Sequence, residues 1–183
     1  PAAQAATFTA TPVSFSQIDL SFSAASTISN ADGYLVLMNY GSAPTGTPSV
    51  ANAYSVGSVI GGDTVVAMIN STSTTSFSVT GLAPNANYYF TLIPFNSDAV
   101  NNVTYNYNTT SPASANASTL AATASVAINS TNVASATINQ NTTNNLIYAG
   151  NLQVSNLSTT LNAVRVALSG TYSASDLTNV KVW

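Results

Sequence analysis

The sequence predicts an all-β chain folded as antiparallel sandwiches. Apolar and polar residues alternate in short runs, Gly, Pro and Asn break those runs, and no stretch keeps a helical period. At 183 residues the chain has room for about two modules of ~100 residues each. Charged residues make up only 4 %, yet there are nine Tyr and six Phe, so the chain has apolar mass to bury and little charge to resist collapse.

The strands follow in order. "TFTATPVS" opens the first. In "QIDLSFSA", Ile18, Leu20 and Phe22 share one face and Asp19, Ser21 and Ser23 the other. "DGYLVLMN" leaves a turn at Asp32-Gly33, with an Asx turn expected at Asp32, and splits Tyr34, Val36 and Met38 from Leu35 and Leu37. "TSFSVTGL" turns Phe77 and Val79 inward. "GLAPNANYYFTLIPFN", Gly81–Asn96, supplies a turn and then a strand whose Tyr88, Phe90 and Leu92 face the core. Tyr89, Ile93 and Phe95 then form an outward apolar stripe, a candidate interaction surface that needs a cover. That cover is the long segment after "DGYLVLMN", a neighbouring module or another copy of the chain, and all three stay open at this stage. "SPASANAST" enters through Pro112, which suits an edge strand.

Residues 121–183 read as four or five further strands: "SVAI", "NNLIYAGNLQVSN", "LNAVRVALSG" and "LTNVKVW". Val164, Val166 and Leu168 fall on one face and Arg165 on the other. The run stops at Trp183, inside an alternating strand. The expectation is a second sandwich incomplete within this chain, finished by the continuation of the polypeptide or by a strand donated from a neighbouring subunit.

Leu82, Pro84 and Tyr88 resemble the E-to-F corner of a fibronectin type III domain. The resemblance implies that the Tyr88 hydroxyl bonds back to the backbone of the turn. It covers roughly residues 5–120, with "TFTATPVS" as strand A, "GYLVLM" as strand C and "SPASANAST" as strand G. It departs from the family in lacking the core Trp of strand B. It also departs in the length of "NYGSAPTGTPSVANAYSVGSVIGGDTVVAMI", which resembles the fibronectin-like repeats of large bacterial surface proteins. The resemblance implies a fibronectin type III-like β-sandwich over residues 1–120 and, more loosely, a second, immunoglobulin-like β-sandwich over 121–183. No RGD-type tripeptide is present.

Chemistry is scarce. A net charge of −3, with only Arg165 and Lys181 positive, excludes nucleic acid and anionic membrane surfaces as partners. No apolar run approaches the ~20 residues of a membrane-spanning helix, so no membrane insertion is expected. Pro1 begins without a basic leader, so any export signal is expected to have been removed or to lie outside this chain. Low charge with abundant Asn, Ser and Thr points to an extracellular, cell-surface or secreted protein. Residues 1–120 carry four Asp and no base, and residues 121–183 two bases and Asp176; any head-to-tail attraction between them is worth at most ~1 kcal/mol.

With no His, no Glu, no Cys and five scattered Asp, there is neither a general acid and base pair nor a base for a Ser nucleophile nor a soft zinc ligand. No enzyme activity, cofactor or metal is expected. Asp98, in an Asn-rich loop, is the one place for calcium, and a single carboxylate makes a poor site. Seven Asn-x-Ser/Thr triplets occur where this composition gives about six by chance, so they carry no signal. Asp63-Thr64-Val65 resembles the acceptor used for O-glycosylation in some gram-negative secreted proteins, which marks Thr64 as a candidate modification site.

Tyr105 and Tyr107, in "NNVTYNYNTT", stand at the tip expected between strands F and G. There they either hold a sugar or partner strand or, as the favoured alternative, begin strand G and cover a junction. The expected function is that of a structural and adhesive segment of a bacterial surface fibre or filament. Its partners are neighbouring modules or copies of itself, and surface glycans. The alternative is an accessory, carbohydrate-binding module of a secreted polysaccharide-degrading enzyme or peptidase.

Overall fold

A computed structural model of the chain describes residues 1, 3–25, 31–131, 133, 137, 139, 142–146, 148–165 and 167. The chain divides into two compact units, Pro1–Thr123 and Ala124–Trp183. In the first unit the strands are β1 (Ala6–Pro12), β2 (Gln17–Ser23), β3 (Gly33–Tyr40), β4 (Val59–Ile60), β5 (Asp63–Ile69), β6 (Ser76–Thr80), β7 (Asn87–Asn96), β8 (Asn106–Tyr107) and β9 (Ala113–Ser118). One sheet runs β1-β2-β6 and the other β4-β5-β3-β7, with β8 and β9 both paired to β7. Every pairing is antiparallel. This is a fibronectin type III-like sandwich in which β1, β2 and β6 take the places of strands A, B and E, and β5, β3 and β7 those of C′, C and F.

The alternation in the sequence sets the packing. Ile18, Leu20 and Phe22 of β2 meet Tyr34 and Val36 of β3 and Tyr88, Phe90 and Leu92 of β7 in the core between the sheets. Phe22 stands edge-on to Tyr34 at 4.6 Å. The Tyr34 hydroxyl accepts a hydrogen bond from the Ala25 amide at 2.8 Å, so the polar tip of a buried ring is satisfied. Strand G is broken. Tyr107 pairs with Phe95, and Ala113 already pairs with Leu92, so the chain between them loops out of the ladder. The Gln4 side chain donates to the Asn108 and Thr110 carbonyls at 2.9 and 2.8 Å and fills the break.

At the E-to-F corner the Tyr88 hydroxyl accepts from the Ala83 amide at 2.9 Å, and Leu82 is buried beneath. Pro84 is exposed in the turn. Thr119, which the sequence did not single out, closes the same corner. Its hydroxyl donates to the Ala83 carbonyl at 2.7 Å and accepts from the Ala86 amide at 3.0 Å. Asp32 does not make the expected Asx turn. Its carboxylate accepts from the Asn96 side chain at 2.9 Å and the Ser97 amide at 3.1 Å, because Gly33 already pairs with Phe95 and draws the carboxylate to the end of β7.

In the second unit β10 (Ser125–Thr131) pairs with β11 (Ala149–Ser155) without a register shift. Val126 lies opposite Val154 and Ile128 opposite Leu152, and these four side chains remain 45–65 % exposed. Leu161–Arg165, expected within a strand, have no regular secondary structure. Alternation assigns faces, but a strand also needs a ladder, and among the described residues none pairs with this segment. Val166, Leu168 and the segment "LTNVKVW" with Trp183 lie outside the described residues.

Replacing Tyr88 by Phe is expected to cost about 1 kcal/mol through the lost corner bond, and Tyr89→Phe much less. Chemical denaturation of the full chain with both variants checks this; equal effects would contradict the role given to Tyr88.

Candidate functional site

The outward stripe on β7 is covered from within the unit. Ile93 and Phe95, 2 % and 1 % exposed, join Leu35, Leu37, Ile60, Val65, Tyr105 and Tyr107 in a second core on the far side of the β3–β7 sheet. The long segment proves to be an insertion between β3 and β5. It lays Ala53, Tyr54 and Ile60 over that face. Ile93, Phe95, Tyr105 and Tyr107 are therefore no exposed interaction surface, because the insertion removes them from solvent. Of the stripe only Tyr89 stays partly exposed.

The two loop tyrosines are the hinge of this cover. Phe95 packs 5.3 Å from Tyr105 and 5.7 Å from Tyr107, and Tyr54 of the insertion stands 5.9 Å from Tyr107. The Tyr107 hydroxyl donates to the Asn52 carbonyl at 2.9 Å, and the Ala51 amide donates to the Tyr105 carbonyl at 2.8 Å. Burial pushes the Tyr107 hydroxyl well above its ordinary value of 10.0, with Tyr105 and Tyr54 adding to the shift. Neither ring is presented to a sugar.

Asp63 anchors the beginning of the insertion. It is fully buried, and its carboxylate accepts from the Asn39 side chain and from the Thr45 and Gly46 amides, the last two at 2.7 and 2.6 Å. Among the described residues no cation meets it, and three donors replace its hydration. Gly46 must lack a side chain, since a Cβ there would come within 2.1 Å of the Ile60 carbonyl oxygen. Gly61 and Gly62, both at positive φ, make the two-residue hairpin that returns β4 onto β5 and aims Asp63 inward. That Gly-Gly-Asp run was the available sequence signal for the anchor. Thr64 follows in a strand paired on both sides, to Met38 and to Val59. Asp63, the acidic residue of the O-glycosylation triplet, cannot be read by an enzyme in the folded unit.

Asp98 is likewise a loop organiser. Its carboxylate accepts from the Val100 and Asn101 amides, the Asn101 side chain and the Thr104 hydroxyl, all at 2.8–2.9 Å. These donors, the Asn101 amide foremost, hold it well below the usual carboxylate range. Its oxygens face donors, an arrangement that does not fit the calcium considered from the sequence. Among the described residues no three acidic, His or Cys side chains gather into a metal cluster, and no helix is long and apolar enough to cross a membrane.

No family model and no curated protein matches the chain. Solved structures similar to it are sandwiches. A computationally redesigned β-sandwich protein matches at 17 % identity and a TM-score of 0.43 over 64 % of this chain and 95 % of that one. The FN1–FN3 domains of chicken CNTN1 match at 16 % identity and 0.46 over 66 % of this chain and 31 % of theirs. An FN3 domain of human collagen XX matches at 18 % identity and 0.35 over 59 % and 91 %. The strand order and ladders, rather than these scores, define the fold.

Asp63→Ala strands the Thr45 and Gly46 amides and is expected to destabilise the chain by roughly 2–3 kcal/mol. Loss of the near-ultraviolet circular dichroism of the Phe95–Tyr105–Tyr107 cluster at lower denaturant than wild type measures it. Tyr107, raised in the fold, contributes stability that is complete below its unfolded value near pH 10 and lost as pH climbs above it. Denaturation midpoints between about pH 8 and 11 should therefore fall less steeply for Tyr107→Phe than for wild type.

Proposed function

We propose that this chain is a non-enzymatic, extracellular structural and adhesive segment of a bacterial cell-surface fibre or filament, in which the second unit packs against a neighbouring module or another copy of the chain. The observation that carries the proposal is the β10–β11 hairpin. Val126, Ile128, Leu152 and Val154 make one apolar face that is about half-exposed, and among the described residues neither strand has a second ladder partner. Two strands are too few to hold such a face in water, so a third strand or a facing sheet completes it. The first unit suits a mechanical part. Its central strands β3 and β7 are buried on both faces over most of their length, its acidic residues are engaged by hydrogen bonds, and it has no Lys or Arg. The charge-poor composition rich in Asn, Ser and Thr supports an extracellular place.

Light scattering of the full chain over a dilution series is expected to find particles larger than one chain. Ile128→Asp with Leu152→Asp should return them to monomers without changing the unfolding of the first unit. A wild-type monomer at every concentration, with the β10 and β11 amides protected from exchange, would show the hairpin to be self-sufficient and sink the proposal.

A further inference from the structure

The insertion does not cover the whole outer face of β7. Where it stops, a cleft of about 250 Å³ opens between Ala43 and Pro44 of the insertion, Tyr89 of β7 and Ser114 and Asn116 of β9. Tyr89 lies opposite Asn39 on one side and Asn116 on the other, with Ser114 one step along β9, so the register itself gathers these groups.

The cleft is chemically distinct from the rest of the face. Tyr89 is partly exposed, whereas Ile93 and Phe95 farther along the same face are buried. The Asn87 side chain is hydrogen-bonded to the Tyr89 hydroxyl at 3.0 Å, which fixes the phenol at the cleft. Ser114 and Asn116 are exposed, and among the described residues their side chains make no hydrogen bond. The lining contains no charged residue, and Asp63, in the strand beyond β3, is buried with its donors in place.

From this we infer that the cleft binds one residue of a neutral sugar. An aromatic ring beside a proline wall supplies apolar contact for the C–H face of a pyranose. A phenol, a hydroxyl and a carboxamide around it both donate and accept, matching a ligand covered in hydroxyls. Ionic ligands find no counter-charge. The volume lies below the ~300–1,000 Å³ of clefts that take larger ligands, which limits the occupant to a single ring. With so few contacts the affinity is of millimolar order. The inference does not depend on the fibre proposal, since the cleft lies wholly within the first unit.

The test is an NMR titration of the full, isotopically labelled chain with the methyl glycosides of glucose, galactose, mannose and N-acetylglucosamine, each to about 50 mM. At least one should shift the amides of Tyr89, Ser114 and Asn116. Tyr89→Ala and Asn116→Ala should each weaken it at least ~10-fold, while Tyr40→Ala, at an exposed ring outside the cleft lining, should leave it unchanged. Asn116 is exposed, so its variant reports on binding even if Tyr89→Ala perturbs folding. No shift with any of the four sugars, shifts located elsewhere, or undiminished binding by Asn116→Ala would overturn the inference. So would a proline-rich peptide that moves the same amides when no sugar does.

Discussion

The β3–β7 pair is buried on both faces, and the rest of the first unit is arranged around that constraint. Tyr34 and Val36 of β3 face one core, Leu35 and Leu37 the other, and all four are at most 1 % exposed. A strand apolar on both sides is usual in sheets covered by helices, whereas antiparallel sheets generally leave one face to water. Here, among the described residues, no helix packs on the outer face, so a loop must cover it. The insertion between β3 and β5 does so, and a loop laid over a sheet needs anchors because its own backbone groups have lost water. Tyr107 holds its middle through the Asn52 carbonyl, and Asp63 holds its beginning through the Thr45 and Gly46 amides.

Those anchors show how a chain with few charges keeps order. Asp32, Asp63 and Asp98 each accept from backbone amides, and Asp19 accepts from the Gln17 side chain at 2.8 Å. With no Lys or Arg in the first unit, carboxylates serve as acceptors for donors that loops leave unpaired. Thr119 does with a hydroxyl at the E-to-F corner what the carboxylates do in the loops.

The proposed functions fall where this closure is incomplete. In the first unit the exception is the Tyr89 cleft, where the insertion ends and β9 offers only small side chains and an amide. In the second unit it is the open face of the β10–β11 hairpin. One place suits a small neutral ligand and the other a protein surface, and each is described by residues that do no work in the core.

The sequence by itself determined which residues face inward on β2, β3, β6 and β7, because a period of two ties side-chain direction to position. It also marked the corner, because Leu82, Pro84 and Tyr88 lie within one turn and the strand it enters. The sequence could not tell that the stripe of Ile93 and Phe95 is covered by the chain's own insertion, or that Tyr105 and Tyr107 lie beneath that cover. Alternation reports that a face is apolar and is silent about what lies over it. Asp63 was hidden for the same reason: its partners Asn39, Thr45 and Gly46 stand 17–24 positions away and meet it only when β5 returns beside β3. Only the tertiary structure decided these contacts, since each joins segments whose approach depends on the path of the chain between them.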